Sequence, residues 1–351
     1  MKAVVFDQHG GIEVLQYREV AEPDISPNDV LVRVKATACN YNDIWARRGM
    51  AGLAVAFPHI SGSDAAGEVV KVGSEVRGVK AGDEVVVHCG VSCRQCEACA
   101  AGQDVFCRDF RIWGFQTGPL DGAHSELIRI PAYNVVPKPE NLSWEEASSL
   151  PLVLVTAWRK LVTRAQVKPG DHVLIWGAAG GLGIMAIQIA RLFKARPIAV
   201  ASSDDKLEVC RKVGAEFLIN RKKQDILEEV RSITARRGVD IVFEHPGEAT
   251  WPVSVQAVRR GGTIVTSGAT SGYEGLTDLR HIFFRQITVM GSTLGSKAEL
   301  IQAMRFVETG DIKPVVSEVL PLREVGEAQL TMEHSEVLGK IVLVPDGNGS
   351  R

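Results

Sequence analysis

The chain is poor in most of the features that would place it in a special class. Long apolar runs are missing, so no stretch reads as a membrane-spanning helix. The opening Met1-Lys2-Ala3-Val4-Val5-Phe6 reads as a first strand rather than a signal peptide. Charge of one sign is missing too: 40 basic and 42 acidic residues nearly cancel, and no stretch piles up either sign. The run-based signature of a nucleic-acid or polyanion surface is therefore not there. Repeats at solenoid spacing and low-complexity tracts are absent, which removes repeat architectures. Seven cysteines in 351 residues, four of them between Cys93 and Cys107, do not make a secreted disulfide framework. The expectation is a soluble cytoplasmic protein with neither nucleic acid nor membrane as partner.

What is present is enough apolar sequence, 45%, to bury a large core, most readily in two domains. The most informative stretch is Leu174-Ile175-Trp176-Gly177-Ala178-Ala179-Gly180-Gly181-Leu182-Gly183. A short apolar strand runs into glycines, and Leu182, Met185, Ala186, Ile189 and Phe193 then recur at helical spacing. This is the context in which a glycine loop holds a dinucleotide. Gly180 is expected to allow the tight turn, Gly181 and Gly183 to admit close backbone approach, and the helix N–H groups to face the pyrophosphate. The contacts expected from the loop are Ala179, Gly180, Gly181 and Leu182. About 20 residues on, where an Asp or Glu would bind a ribose 2′-hydroxyl, stand Ser202 and Ser203, with Lys206 a helical turn later and Arg221 after the third strand. Hydroxyls and cations there suit a 2′-phosphate, and hence NADPH. Asp204 and Asp205 read as first-turn residues of the next helix, although either could instead reach the ribose.

From Met1 to about residue 137, short β-like runs (2–6, 30–36, 66–72, 84–88 and 123–130) alternate with Gly, Pro, Asn and Asp, predicting a mostly β domain. The segment 141–163 is helical in character, with Ser143 and Glu146 as a capping pair. After the glycine loop, strands (197–201, 217–220, 239–243, 262–266 and 287–290) alternate with helices, which predicts a parallel sheet covered on both faces. Ser296 with Glu299 opens a further helix, 312–320 returns to β character, and 339–344 is a last strand. The tail from Asp346 to Arg351 is expected to be disordered.

Cys93, Cys96, Cys99 and Cys107 stand as C-x-x-C-x-x-C-x(7)-C. Four thiolates so placed can close a tetrahedral shell around one structural Zn²⁺. An iron–sulfur cluster is the competing reading, but the fourth cysteine is followed by Arg108 rather than proline. Cys39, Cys89 and Cys210 read as buried small hydrophobes.

Several stretches together resemble the medium-chain dehydrogenase/reductase superfamily over essentially the whole chain. They are Asn40-Tyr41-Asn42-Asp43, Gly62-Ser63-Asp64-Ala65-Ala66-Gly67, Gly82-Asp83-Glu84-Val85, the cysteine lobe, Leu154-Val155-Thr156-Ala157-Trp158, the glycine loop and Gly339-Lys340. The resemblance implies a GroES-like, mostly β catalytic domain (1–150 and 292–351, zinc lobe about 88–110) and a doubly wound Rossmann domain (151–291). It also implies Thr156, Gly268 and Lys340 as further cofactor contacts. Alcohol dehydrogenases of this superfamily hold a catalytic zinc at positions that here read Asn40, Ser63 and Leu152. A set of this kind disfavours a metal-polarised carbonyl, leaving His59, Asp64 and His88 as an unusual alternative set.

The sequence looks instead like the quinone- and enoyl-reductase branch. Within it, Val87-His88-Cys89, Trp113-Gly114-Phe115, Ile219-Asn220-Arg221, Phe243-Glu244-His245-Pro246-Gly247 and Thr270-Ser271-Gly272-Tyr273 resemble crotonyl-CoA carboxylase/reductases. In that family an asparagine, a phenylalanine, a glutamate and a histidine line a CO₂ pocket. Asn40, Phe115 and His245 match, and Gln116 replaces the glutamate. The implied activity is NADPH-dependent reduction of an enoyl-CoA thioester. A quinone or enone reductase, an alcohol dehydrogenase with a recruited metal, and a non-catalytic relative are the alternatives. An apolar stretch at a likely sheet edge, 283–292, predicts a homodimer or homotetramer.

Overall fold

A computed structural model describes residues 1–346. Among them, no helix is long and apolar enough to cross a membrane. The chain divides into two compact units: Met1–Leu152, Ser296–Glu308 and the chain from Pro314 onward form the first, and Val153–Gly295 with Thr309–Lys313 the second. The excursion at 309–313 is fixed by one side chain. Gln188 donates from Nε2 to the Lys313 carbonyl and accepts from the Lys313 N–H, both at 2.8 Å.

The first unit is built on the strand Asp29–Ala38, whose Val30, Val32, Val34 and Ala36 alternate inward and are fully buried. It pairs antiparallel with Asp64–Val72, Leu127–Pro131 and Lys340–Val344. Glu84–Val87 and Val135–Pro137 extend the sheet on one side, and Val316–Pro321 lies parallel to Lys340–Val344 on the other. The strand expected to open at residue 123 begins only at Leu127, because the N–H groups of Ala123 and His124 go to the carbonyls of Gly62 and Ser61. Four short strands, Gln16–Glu19, Gly90–Val91, Arg111–Ile112 and Val135–Pro137, were not expected. None is long enough to show an alternation.

The second unit is a six-stranded sheet, parallel throughout. Its order is Phe217–Asn220, Arg196–Ala201, His172–Ile175, Val239–Glu244, Val258–Thr266, Thr288–Gly291. This is the doubly wound order that reverses direction beside its first strand, where ligands of such folds bind. Every residue of Val239–Glu244 is buried, as a central parallel strand requires.

The segment expected as one helix over 141–163 is broken. Ser143 and Glu146 cap a short helix, Trp144–Ser148, through reciprocal bonds of 3.0 and 3.2 Å. Pro151, which has no N–H to continue that helix, opens the next one, Pro151–Trp158, and a π-helical turn follows over Arg159–Arg164. Asp346, expected in a disordered tail, accepts from Arg323 at 2.6 Å, and the rest of that tail lies outside the described residues.

Candidate active site

In the second unit the strand His172–Ile175 ends in the glycine loop, and the helix Gly181–Leu192 follows. The tight turn is at Gly177, with φ +53°, and not at Gly180, whose φ of −79° any residue adopts. Gly177 is forced by its neighbour: a β-carbon there would lie 2.7 Å from His245 Nε2. Gly183 is forced by packing, since its β-carbon would come within 2.5 Å of the Ala178 Cα. Gly180 differs. A β-carbon on it would meet only the Gly177 carbonyl, at 3.5 Å, so the space beside it is open. It is the N-cap of a twelve-residue helix that no side chain caps. Open space before uncapped N–H groups at a helix N-terminus fits a pyrophosphate.

At the end of the second strand, Ser202 Oγ accepts from Lys206 Nζ at 3.5 Å, and Ser203 is the N-cap of the helix Asp204–Lys212 without a side-chain cap bond. The Asp204 carboxylate is already used: it accepts from Asn220 Nδ2 and Lys223 Nζ, both at 2.6 Å. Arg221 is exposed and follows the third strand. Thr156 is buried in the helix Pro151–Trp158.

His245 stands directly after the buried fourth strand. Gly177 presses on one side of it, and Gly268, whose β-carbon would fall 2.7 Å from the His245 carbonyl, on another. Burial, and then the Lys160 charge, lower its pKa to about 3, so the imidazole is neutral at ordinary pH. Lys160 is a residue the sequence reading missed. Fully buried in the π-helical turn, it donates to the Glu244 carbonyl at 2.6 Å and lies 3.5 Å from the Phe243 ring centroid, pinning the two residues before His245. Glu244 is pinned in turn by the Gly247 N–H at 3.0 Å, the Thr250 hydroxyl at 2.7 Å and the Ser254 hydroxyl. A lysine inside the apolar run 150–162 was the available signal.

In the first unit, three elements converge on Asp64. Its carboxylate accepts from the Leu152 N–H at 2.8 Å, from Asn40 Nδ2 at 2.8 Å and from Lys340 Nζ at 3.3 Å. Lys340 also donates to Asn40 Oδ1 at 2.6 Å and to the Cys39 carbonyl at 2.7 Å. Burial pushes the Asp64 carboxyl up, and the Lys340 charge and the Asn40 bond oppose that shift only in part. The second amide hydrogen of Asn40 goes to the Ala38 carbonyl, so every polar atom of this side chain is engaged. Ser63 is likewise committed, accepting from Asn42 Nδ2 at 2.7 Å and donating to the Trp113 carbonyl at 2.8 Å. Asn40, Ser63 and Leu152 therefore offer no free metal-ligating side chain.

The unusual set His59, Asp64 and His88 is not brought together. Among the described residues, the groups with metal-ligand spacing are the four cysteines and a buried trio, Cys39, Asp43 and His124. Phe115 is a core residue, packed with Phe6, Ala46 and Trp45. Gln116 is exposed, its amide oxygen accepting from the Ile112 N–H at 2.9 Å. It serves the turn of its own loop.

The cysteine lobe fits a zinc ion. A tetrahedral shell with Zn–S of about 2.3 Å needs sulfurs about 3.8 Å apart. Here Cys93 and Cys99 are 4.0 Å apart, Cys96 and Cys99 3.6 Å, and all four sulfurs lie within 4.8 Å of one another. The N–H groups of Gln95 and Cys96 lower the Cys93 thiol to about 7, favouring the thiolate that a metal takes.

Comparison with known proteins agrees with this geometry. The alcohol dehydrogenase GroES-like domain profile matches residues 26–140, and the zinc-binding dehydrogenase profile residues 181–309. A crotonyl-CoA reductase of Streptomyces avermitilis is 37% identical, over 95% of this chain and 83% of its own. A crystal structure of an NAD-dependent alcohol dehydrogenase superposes with a TM-score of 0.94 at 43% identity, covering 98% of this chain and 99% of that one. The 2-octenoyl-CoA carboxylase reductase CinF, solved with NADP and 2-octenoyl-CoA, gives 0.89 at 34%, covering 98% and 87%. The chain belongs to the medium-chain dehydrogenase/reductase superfamily, with a GroES-like and a Rossmann domain, and within it resembles the crotonyl-CoA carboxylase/reductases.

Proposed function

We propose that this oxidoreductase transfers hydride from NADPH to the β-carbon of an enoyl-CoA thioester without a catalytic metal. The observation that carries the reading is the commitment of Asn40, Ser63 and Leu152 to internal bonds. A carbonyl substrate in this superfamily's alcohol dehydrogenases is polarised by zinc held at those positions, and these residues cannot hold one. Hydride addition to a conjugated double bond puts charge on the thioester oxygen as an enolate, which fixed hydrogen-bond donors stabilise unaided. Bound NADPH supplies the hydride. The chain's part is to hold the cofactor and exclude alternatives: the uncapped helix Gly181–Leu192 receives the pyrophosphate, while Ser202 and Lys206 take the 2′-phosphate. Asp204, tied to Asn220 and Lys223, neither repels that phosphate freely nor reaches for a ribose hydroxyl.

Plain reduction is favoured over carboxylation. Both Asn40 amide hydrogens are occupied, so this residue has no donor to spare for CO₂ in this arrangement, and Gln116, which stands in place of the glutamate, turns its amide oxygen to the Ile112 N–H of its own loop. Cys93, Cys96, Cys99 and Cys107 would hold one structural zinc, leaving no position for substrate. A dimer is supported by the sheet edge at Thr288–Gly291 and by Leu279, Phe283 and Phe284 on the preceding helix, all three exposed.

The 43% likeness to an NAD-dependent alcohol dehydrogenase favours a second reading, an alcohol dehydrogenase. An NADPH oxidation screen separates the two. Crotonyl-CoA and acrylyl-CoA are expected to be turned over, with or without bicarbonate, and small aldehydes and free quinones much more slowly. Turnover of aldehydes alone would establish the second reading and remove the first.

A further inference from the structure

Basic residues scattered through the sequence are gathered at one place on the second unit. Arg231, Arg236, Arg237, Arg259, Arg260 and Arg285 line an open cleft of about 590 Å³ whose floor includes Leu227, Val230, Ala257 and Val258, and no carboxylate lines it. It lies where the strands Val239–Glu244 and Val258–Thr266 begin. The glycine loop follows the carboxyl end of His172–Ile175 in the same parallel sheet. The cleft is therefore at the opposite edge from the dinucleotide end.

Among the described residues, two carboxylates pair with these six guanidiniums: Glu228 with Arg231, and Asp240 with Arg237 at 2.7 Å and Arg259 at 2.6 Å. Six positive charges against two leave an excess of four. Arg260 bonds only a carbonyl, that of Phe284 at 3.1 Å, and Arg285 bonds the carbonyls of Val255, Gln256 and Val258. Arg285 is pushed down by burial and by the Arg260 charge, as two cations held together without an acid must be. Among the described residues, none pairs with the Arg236 guanidinium. The turn that carries it is costly. Ala235 and Arg236 are successive non-glycine residues at φ +48° and +65°, a backbone conformation that L side chains rarely adopt and that recurs at functional sites.

We propose that this cleft binds a multiply phosphorylated small molecule. Planar guanidinium forks recognise phosphate bidentately, and several of them around one concave site match several phosphates on one ligand. The volume falls in the range of small-molecule pockets. Duplex nucleic acid would call for a stripe of cations along an extended face.

The test uses the full chain with sodium tripolyphosphate as probe, read by calorimetry and by thermal shift, beside the Arg236→Ala/Arg260→Ala double variant. Both side chains are exposed and neither holds the fold, so the variant is expected to melt like the parent without ligand. Tripolyphosphate should raise the parent's melting temperature and bind the double variant at least about tenfold more weakly. Equal binding by the two proteins, no binding by the parent at millimolar probe, or tighter retention of duplex DNA than of tripolyphosphate by the parent would each overturn the proposal.

Discussion

Ser202 and Lys206 show how far single residues could be read in advance. The absence of an acid at the end of the second strand is a fact of sequence, and so is the replacement of metal ligands by Asn40, Ser63 and Leu152. The roles of Asp64 and Lys160 were not legible, because both depend on burial and on partners more than 80 residues away. For Asn40 the sequence suggested a pocket residue. In the structure it is one corner of a network with Asp64 and Lys340, its hydrogen bonds already made. The NADPH reading makes a prediction at this scale. Lys206→Ala removes a charge-assisted contact to the 2′-phosphate, so the dissociation constant for NADPH should rise about tenfold or more while that for NADH stays put. Equal effects on both would place Lys206 elsewhere.

Among elements, the glycine loop lies between its strand and its helix as expected and Gly183 packs closely as expected, but the tight turn falls at Gly177 rather than at Gly180. Count and context identify such a loop, but a side chain at Gly177 is excluded by the His245 ring beside it, and nothing local to the loop announces that ring. The helix expected over 141–163 failed for a local reason that was visible, Pro151. The cysteine lobe was the most legible element, since four closely spaced thiols can close one shell almost regardless of the surrounding fold. Metal analysis is expected to find about one zinc per chain, and Cys96→Ser to lose it with a lower melting temperature. Two zinc ions per chain would contradict the metal-free mechanism, and none would remove the structural site.

Over the whole molecule, the order of strands and helices sufficed for the architecture, because alternation of β and α leaves few topologies. Its electrostatics were hidden: the six arginines of the cleft come from four separate places in the chain. Burial also sets the response to pH. His88, His124 and His245 are each held neutral, with pKa lowered to about 3 by desolvation, whereas in the unfolded chain they titrate near 6.5. On acidification the unfolded state takes up three protons that the native state refuses. Asp43, raised to about 7 by burial, and Asp64, also raised, work in the opposite sense, since the native state then holds protons that unfolded carboxylates release. Three against at most two leaves the unfolded state the stronger base. Stability should therefore fall as the pH is lowered from roughly 6 to roughly 4. Urea midpoints at the two ends of that window check the sign, and an unchanged or higher midpoint at pH 4 would refute it.

The destination of the hydride is the claim on which the rest depends. Crotonyl-CoA turned over with NADPH deuterated at the transferred position should yield butyryl-CoA carrying one deuterium on its β-carbon, in enzyme treated with chelator to remove any loosely bound metal. Deuterium on a carbinol carbon instead, from an aldehyde substrate and only before chelation, with no labelled acyl-CoA formed, would contradict the account.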